Sequence, residues 1–218
     1  MNALRRIARW TGGAYLALAV LGALGFLLVR PLAAESAGYA RLGVALELGV
    51  VVAQSLAAVG FFALYRRDRP TEAYAVATFG IANAIAILAS AALLTAALAV
   101  PAETGGDAGV TALLRGVADA FWTTGAVFFG LWLVPMGTFI LATRLMPRLL
   151  GVLLIVGGVG YVTSAVLSAA LPEAGGIADL LGIPATVGEL WMVGYLLTVG
   201  IRSTPSHRTQ PGTAVVVG

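Results

Sequence analysis

Four stretches of this chain, residues 10–29, 73–102, 121–142 and 149–172, contain no charged side chain at all. Two more, 42–65 and 180–201, contain one each, Glu47 and Glu189. A helix needs roughly 20 apolar residues to cross the hydrocarbon core of a bilayer, so all six are long enough. In hydrocarbon every backbone N–H and C=O must be satisfied by protein, which leaves helices or closed barrels. The alternating segments of a barrel strand are absent. The sequence therefore predicts an all-α fold, a polytopic six-helix transmembrane bundle. Composition agrees: 11% of the 218 residues are charged, where a soluble domain carries about 25%.

Residue types that are missing narrow the chemistry. There is no cysteine, so disulfides, thiol nucleophiles and thiolate metal sites are excluded. All thirteen basic residues are arginine, and without a lysine no Schiff base can form. The single histidine, His207, lies beyond the last predicted helix, which leaves no imidazole for a buried haem or zinc. No cofactor, no metal site and no catalytic residue is assigned.

Arginines set the expected orientation. Ten of them (Arg5, Arg6, Arg9, Arg66, Arg67, Arg69, Arg144, Arg148, Arg202, Arg208) fall on one side of the predicted spans, and Arg30, Arg41 and Arg115 on the other. The positive-inside rule puts both termini in the cytoplasm. The sequence pI near 9.7 thus reflects topology, and no nucleic-acid partner is expected. The opening "MNALRRIARW" resembles a signal peptide, but its apolar run exceeds the usual h-region of roughly 7–15 residues, so the first helix is expected to stay. The predicted helices are about 9–30, 40–65, 71–100, 117–143, 147–171 and 180–201, in a single domain of residues 1–202 with a disordered cytoplasmic tail, 203–218. No internal repeat is visible, which argues against an inverted-repeat transporter.

Depth can be counted from the nearest cytoplasmic arginine at about 1.5 Å per residue. Glu189 is 13 residues from Arg202, Asn83 14 from Arg69, Gln54 12 from Arg66 and Tyr161 13 from Arg148. All four lie about 18–21 Å deep and are expected to form one polar layer. Glu47 is 19 residues from Arg66, near the outer surface, where it would be solvated or paired with Arg41. Glu47 and Gln54 share a stripe of helix 2, as Asn83 and Ser90 do on helix 3. On helix 5, Gly160, Ser164 and Ser168 make a small-residue row that admits a neighbouring backbone. Trp10 and Trp122 read as interfacial anchors, Trp132 and Trp191 as core. Glu189 is the outlier, because a charge near the bilayer centre costs at least about 2.5–3.5 kcal/mol on insertion scales. It is expected to be neutral or hydrated and to face the bundle interior.

From helix 4 onward the chain carries Phe128-Phe129-Gly130, Gly137, Pro147-Arg148, Leu150-Gly151, Gly160-Tyr161 and Gly188-Glu189. With these residues it resembles a family of bacterial membrane proteins catalogued as domain of unknown function family 4386, over about residues 5–201. The resemblance implies the six-helix fold and the bacterial cytoplasmic (inner) membrane, and supplies no activity. It also implies an arginine midway along helix 3. This chain has Gly80 there, so that counter-ion for Glu189 is missing.

The ligand-binding or proton-handling candidates are therefore Glu189, Asn83, Gln54, Tyr161 and Glu47. The leading reading is binding or transport of a small amphipathic or apolar solute through the layer around Glu189, with proton coupling through that carboxyl. A non-enzymatic assembly or partner subunit and a carboxylate-dependent membrane enzyme are the alternatives. The expected partners are the lipid bilayer, a small apolar or amphipathic ligand and a second copy of the chain.

Overall fold

The computed structural model describes residues 3–33, 36–100, 107–171, 176 and 180–201. Six long helices account for nearly all of them: α1 (Ala3–Leu32), α2 (Ala37–Tyr65), α3 (Pro70–Ala99), α4 (Asp107–Thr143), α5 (Arg148–Ala170) and α6 (Ile183–Thr198). Among the described residues there is no strand. Five helices, α1 to α5, are long and apolar enough to cross a membrane. Large apolar side chains such as Leu27, Val52, Ile85, Val156 and Leu190 point outward, as the surface of a membrane protein requires. The tail predicted to be disordered lies outside the described residues.

Local chemistry fixes the helix ends. Ser36 caps α2 by accepting the Tyr39 N–H at 3.2 Å, and Pro70 opens α3, where a missing N–H costs nothing. Two predicted boundaries are corrected. Helix α4 starts at Asp107, ten residues before the predicted 117, because Asp107, Arg115 and Asp119 interrupt the apolar run without interrupting the helix. Helix α6 is shorter than the predicted 180–201. Pro184 sits in its first turn, and Gly200 ends it with φ +73° while donating its N–H to Tyr195 O at 2.9 Å. Its 16 residues rise about 24 Å.

Each helix packs on its neighbours in the chain, and α6 returns to α1, so the six close into a ring in chain order. Arg5, Arg6, Arg9, the turn with Arg66, Arg67 and Arg69, and the turn with Arg144 and Arg148 share one end, the proximal end. Aromatic side chains fill the ring's centre. Trp132 of α4 meets Tyr15 of α1 and Phe61 of α2 edge-on, with centroids 5.3 and 5.9 Å apart. Tyr65 stacks on Phe139 one layer further toward the proximal end. All five rings are at most 1% exposed.

Helices α4 and α5 are drawn together by glycine. Between two apolar helices in lipid there is no hydrophobic drive, so close van der Waals contact must hold them. A Cβ on Gly137 would lie 2.5 Å from Gly151 O, and one on Gly130 would lie 2.6 Å from Gly158 O. No side chain fits at either place. Gly137→Ala should therefore lower stability by about 1–3 kcal/mol through overpacking, read as the unfolding midpoint in detergent. Gly194→Ala, with nothing within 4 Å of its Cβ, should leave that midpoint unchanged.

Candidate functional site

The sequence places Glu189 on the inward stripe of α6. Ala185, Gly188, Met192, Val193 and Leu196 are buried on that face, while Ile183, Val187 and Leu190 are exposed on the other. At 3.6 residues per turn Glu189 falls among the buried set, yet it stays partly accessible. Its accessible surface is therefore reached from the bundle side of the helix. Its Oε1 accepts a hydrogen bond of 2.5 Å from the Tyr15 hydroxyl of α1. The Tyr15 ring is 1% exposed and gripped edge-on by Phe61 and Trp132, so the donor is fixed in place. The carboxyl predicted to stand without a counter-ion is thus met by a phenol.

A cleft opens about one helical turn further along α6. Near the proximal end α1 and α6 touch, since a Cβ on Gly12 would lie 2.9 Å from Leu196 Cβ. Further on, residues Leu24–Val29 of α1 form a π-helical turn, closed by the Arg30 N–H on Gly25 O. That turn packs on α2, with Gly25 facing Leu46 and Gly43 facing Val29. The α1–α6 seam consequently spreads into a cavity of about 410 Å³, lined by Phe26, Tyr161, Ser164, Gly182, Ile183, Thr186 and Val187. Thr186 is one turn from Glu189. Tyr161 and Ser164 of α5 form the back wall, and Ile183 and Val187 form an exposed rim. Tyr161 is held edge-on against Phe129 at 5.2 Å and lies within electrostatic range of Glu189.

The other predicted residues gather elsewhere. Glu47 is buried (6% exposed), not solvated, and accepts the Trp122 indole N–H at 2.7 Å. Trp122, expected as an interfacial anchor, is thus a hydrogen-bond donor to an acid. The arginine beside Glu47 is Arg30, at 3.9 Å, and not Arg41. Arg30 also pairs with Asp119 and lies over the rings of Phe26 and Trp122, 5.7 and 5.6 Å from their centroids. These groups border a second cavity of about 170 Å³, together with Leu94, Ala97 and Arg115. Phe26 forms part of the wall of both cavities.

Gln54 and Asn83 are both buried on the α2–α3–α4 side, Asn83 Oδ1 lying 3.8 Å from where a Gly125 Cβ would be. The single expected layer is therefore two clusters, Glu189 with Tyr161 at the cleft and Gln54 with Asn83 across the aromatic core. In the small-residue row only Gly160 meets a neighbouring backbone, at Leu181 O; Ser164 lines the cleft and Ser168 is exposed. Trp132 is core as expected, whereas Trp191 is 36% exposed. Gly80 stands where the resemblance implies an arginine. A Cβ there would lie 2.9 Å from both Ala58 Cβ and Trp132 Cε3, so the indole takes that space. Among the described residues no three acids or histidines cluster to hold a metal.

Sequence reasoning missed Tyr15, Phe26 and Arg30. Tyr15 was not findable by depth, being only six residues from Arg9, about 9 Å in. A double-mutant cycle tests the pair. Tyr15→Phe and Glu189→Gln should each lower stability by about 1–3 kcal/mol, the cost of stranding a buried partner. The double variant should lose clearly less than the sum, read from unfolding in detergent.

No curated protein matches the chain, and no solved structure does. A family model does, that of Domain of unknown function (DUF4386), over residues 10–200. The chain belongs to that family.

Proposed function

We propose that the chain is a multi-pass protein of the bacterial inner membrane that binds or transports a small amphipathic or apolar solute in the cleft between α1 and α6. In this reading α6 is the sixth span, both termini are cytoplasmic and the proximal end faces the cytoplasm. The observation that carries it is the cleft's composition and position. At about 410 Å³ it falls in the size range of small-molecule sites. Its rim of Ile183 and Val187 meets lipid, its walls offer the Tyr161, Ser164 and Thr186 hydroxyls, and Glu189 lies one turn beyond Thr186 on α6. A solute already dissolved in the bilayer enters sideways, tail toward the rim. Its polar head finds the Tyr161, Ser164 and Thr186 hydroxyls, with the Glu189 carboxyl one turn away on α6.

The absence of cysteine makes the test direct. Thr186→Cys places a single thiol in the cleft wall, and octylamine serves as the amphipathic probe. Octylamine should slow maleimide labelling of that thiol several-fold in lipid nanodiscs, and much less when Glu189→Gln is added. Equal labelling with and without octylamine would remove the cleft as a solute site. Orientation is read separately with an impermeant maleimide on intact cells. Gly109→Cys, exposed at the distal end, should be labelled, and Arg67→Cys should not.

A further inference from the structure

The second cavity, about 170 Å³, shares only Phe26 with the cleft and lies toward the distal ends of helices α1 to α4. Small residues from three of them, Ala33, Ala40 and Ala97, leave the space, and charged side chains line it. Two are arginines, Arg30 and Arg115, and two are acids, Glu47 and Asp119. On α4, Arg115, Asp119 and Trp122 fall at i, i+4 and i+7, a single stripe of the helix.

An arginine and an aspartate four apart on a helix are neighbours that can pair, with Cβ atoms about 5–6 Å apart. Here Asp119 turns instead to Arg30 of α1, which it holds through Oδ1. Arg30 also stands 3.9 Å from Glu47 and over the rings of Phe26 and Trp122. Glu47 takes the Trp122 N–H and has the Ser90 hydroxyl beside it. Arg115 is left over. It is half-buried in the cavity wall and makes no hydrogen bond, ion pair or ring contact among the described residues.

The charges lining the cavity select what it can take. With both acids ionised, two guanidinium groups and two carboxylates sum to zero. A simple anion on Arg115 would face Glu47 and Asp119 unbalanced, and a simple cation would face Arg115. A ligand with one charge of each sign leaves the balance intact. The arginine fork takes two oxygens of a phosphate at once. Asp119 gives only Oδ1 to Arg30, and its side chain is 60% exposed, so Oδ2 can accept from an ammonium. The two positions are one helical turn apart, a span that a phosphate and an ammonium joined through two carbons can bridge. A trimethylated ammonium has no N–H to donate.

We propose that this cavity holds the headgroup of a zwitterionic phospholipid, its phosphate on Arg115 and its primary ammonium on Asp119. A soluble phosphoethanolamine carries the same two groups, but the surroundings favour the lipid. Leu27 and Leu28, which follow Phe26 on the π-helical turn, are 66% and 59% exposed and offer acyl chains an apolar surface. Helices α1 to α4 are long and apolar enough to cross a membrane, and the cavity lies toward their distal ends, the level at which headgroups stand beside a spanning bundle. The proposal uses none of the polar residues of the cleft and holds whether or not a solute binds there.

The test is native mass spectrometry of the full chain with dioleoyl-phosphatidylethanolamine, dioleoyl-phosphatidylcholine and dioleoyl-phosphatidylglycerol added in equal amounts. Wild type should retain the ethanolamine lipid several-fold more than either of the others. Arg115→Gln should bring that retention down to the level of the other two. Since Arg115 has no bond to lose among the described residues, the same variant should keep the wild-type unfolding midpoint in lipid-free detergent. Arg115→Lys, which keeps the charge, should retain more ethanolamine lipid than Arg115→Gln, and Asp119→Asn should erase the preference for ethanolamine over choline. Glycerophosphoethanolamine, the same headgroup without acyl chains, should displace the lipid only in large excess. Equal retention of the three lipids, an Arg115→Gln variant that retains like wild type, or displacement by an equal amount of glycerophosphoethanolamine would each overturn the proposal.

Discussion

The hydrogen bond from Tyr15 to Glu189 joins the first helix to the last, and the closure of the ring depends on it. Every other neighbouring pair in the ring is also consecutive in the chain, so a short connection already holds it together. Helices α1 and α6 have no such link. Apolar packing alone does not choose one partner over another, since any apolar surface would cover their faces equally well. What selects this pairing is close contact at Gly12 and Leu196 together with a carboxyl that finds its donor across the seam. A deep acid is a poor way to stabilise a helix in a membrane and a good way to specify its partner.

The same interaction divides the seam in two. On its proximal side α1 and α6 are in contact; on its distal side the π-helical turn carries α1 toward α2 and away from α6. A π turn adds a residue to the helical repeat and is frequent where helices serve function. Here it brings Phe26 to the wall of the cleft while leaving Arg30 within reach of Asp119 and Glu47. One local irregularity in α1 therefore creates the cleft and builds the charged cluster beside it.

Much of this was legible in the sequence, for reasons that also set the limit. Charge-free windows show where helices run, and counting along them orders residues from one end of the bundle to the other, because both are one-dimensional properties of the chain. Azimuth is not. Glu189, Tyr161, Gln54 and Asn83 are counted to similar depth, but the order of helices around the ring puts the first two on one side of Trp132 and the last two on the other. Boundaries failed where charge and helix part company, as at Arg115 in α4, or where one backbone residue overrides composition, as Gly200 does in α6. Trp122 misled because an indole near a span end has the composition of an interfacial anchor, and only its neighbour Glu47 reveals the bond it makes. The glycines behind the family resemblance proved structural: Gly130, Gly137 and Gly151 are places where α4 and α5 touch backbone to backbone.

These contacts give the ring a firm half and an adjustable one. Helices α4, α5 and α6 are locked by backbone approach, with Gly137 against Gly151, Gly130 against Gly158, and Gly157 and Gly160 against the start of α6 and the residues just before it. Such contacts are short-ranged, so sliding one helix past another would break them all together. Helix α1 is held near its start by Thr11 against Gly60, and in its distal third by ordinary contacts of Gly25 with Leu46 and Val29 with Gly43 and by Arg30, whose bonds to Asp119 and Glu47 are made by one long side chain. Van der Waals contact between backbones tolerates almost no displacement, whereas a guanidinium on a flexible stem can keep its carboxylates while the helix beneath it shifts. The width of the cleft is therefore governed by the distal third of α1, and Phe26, standing between the two cavities, is the side chain that any such shift moves first.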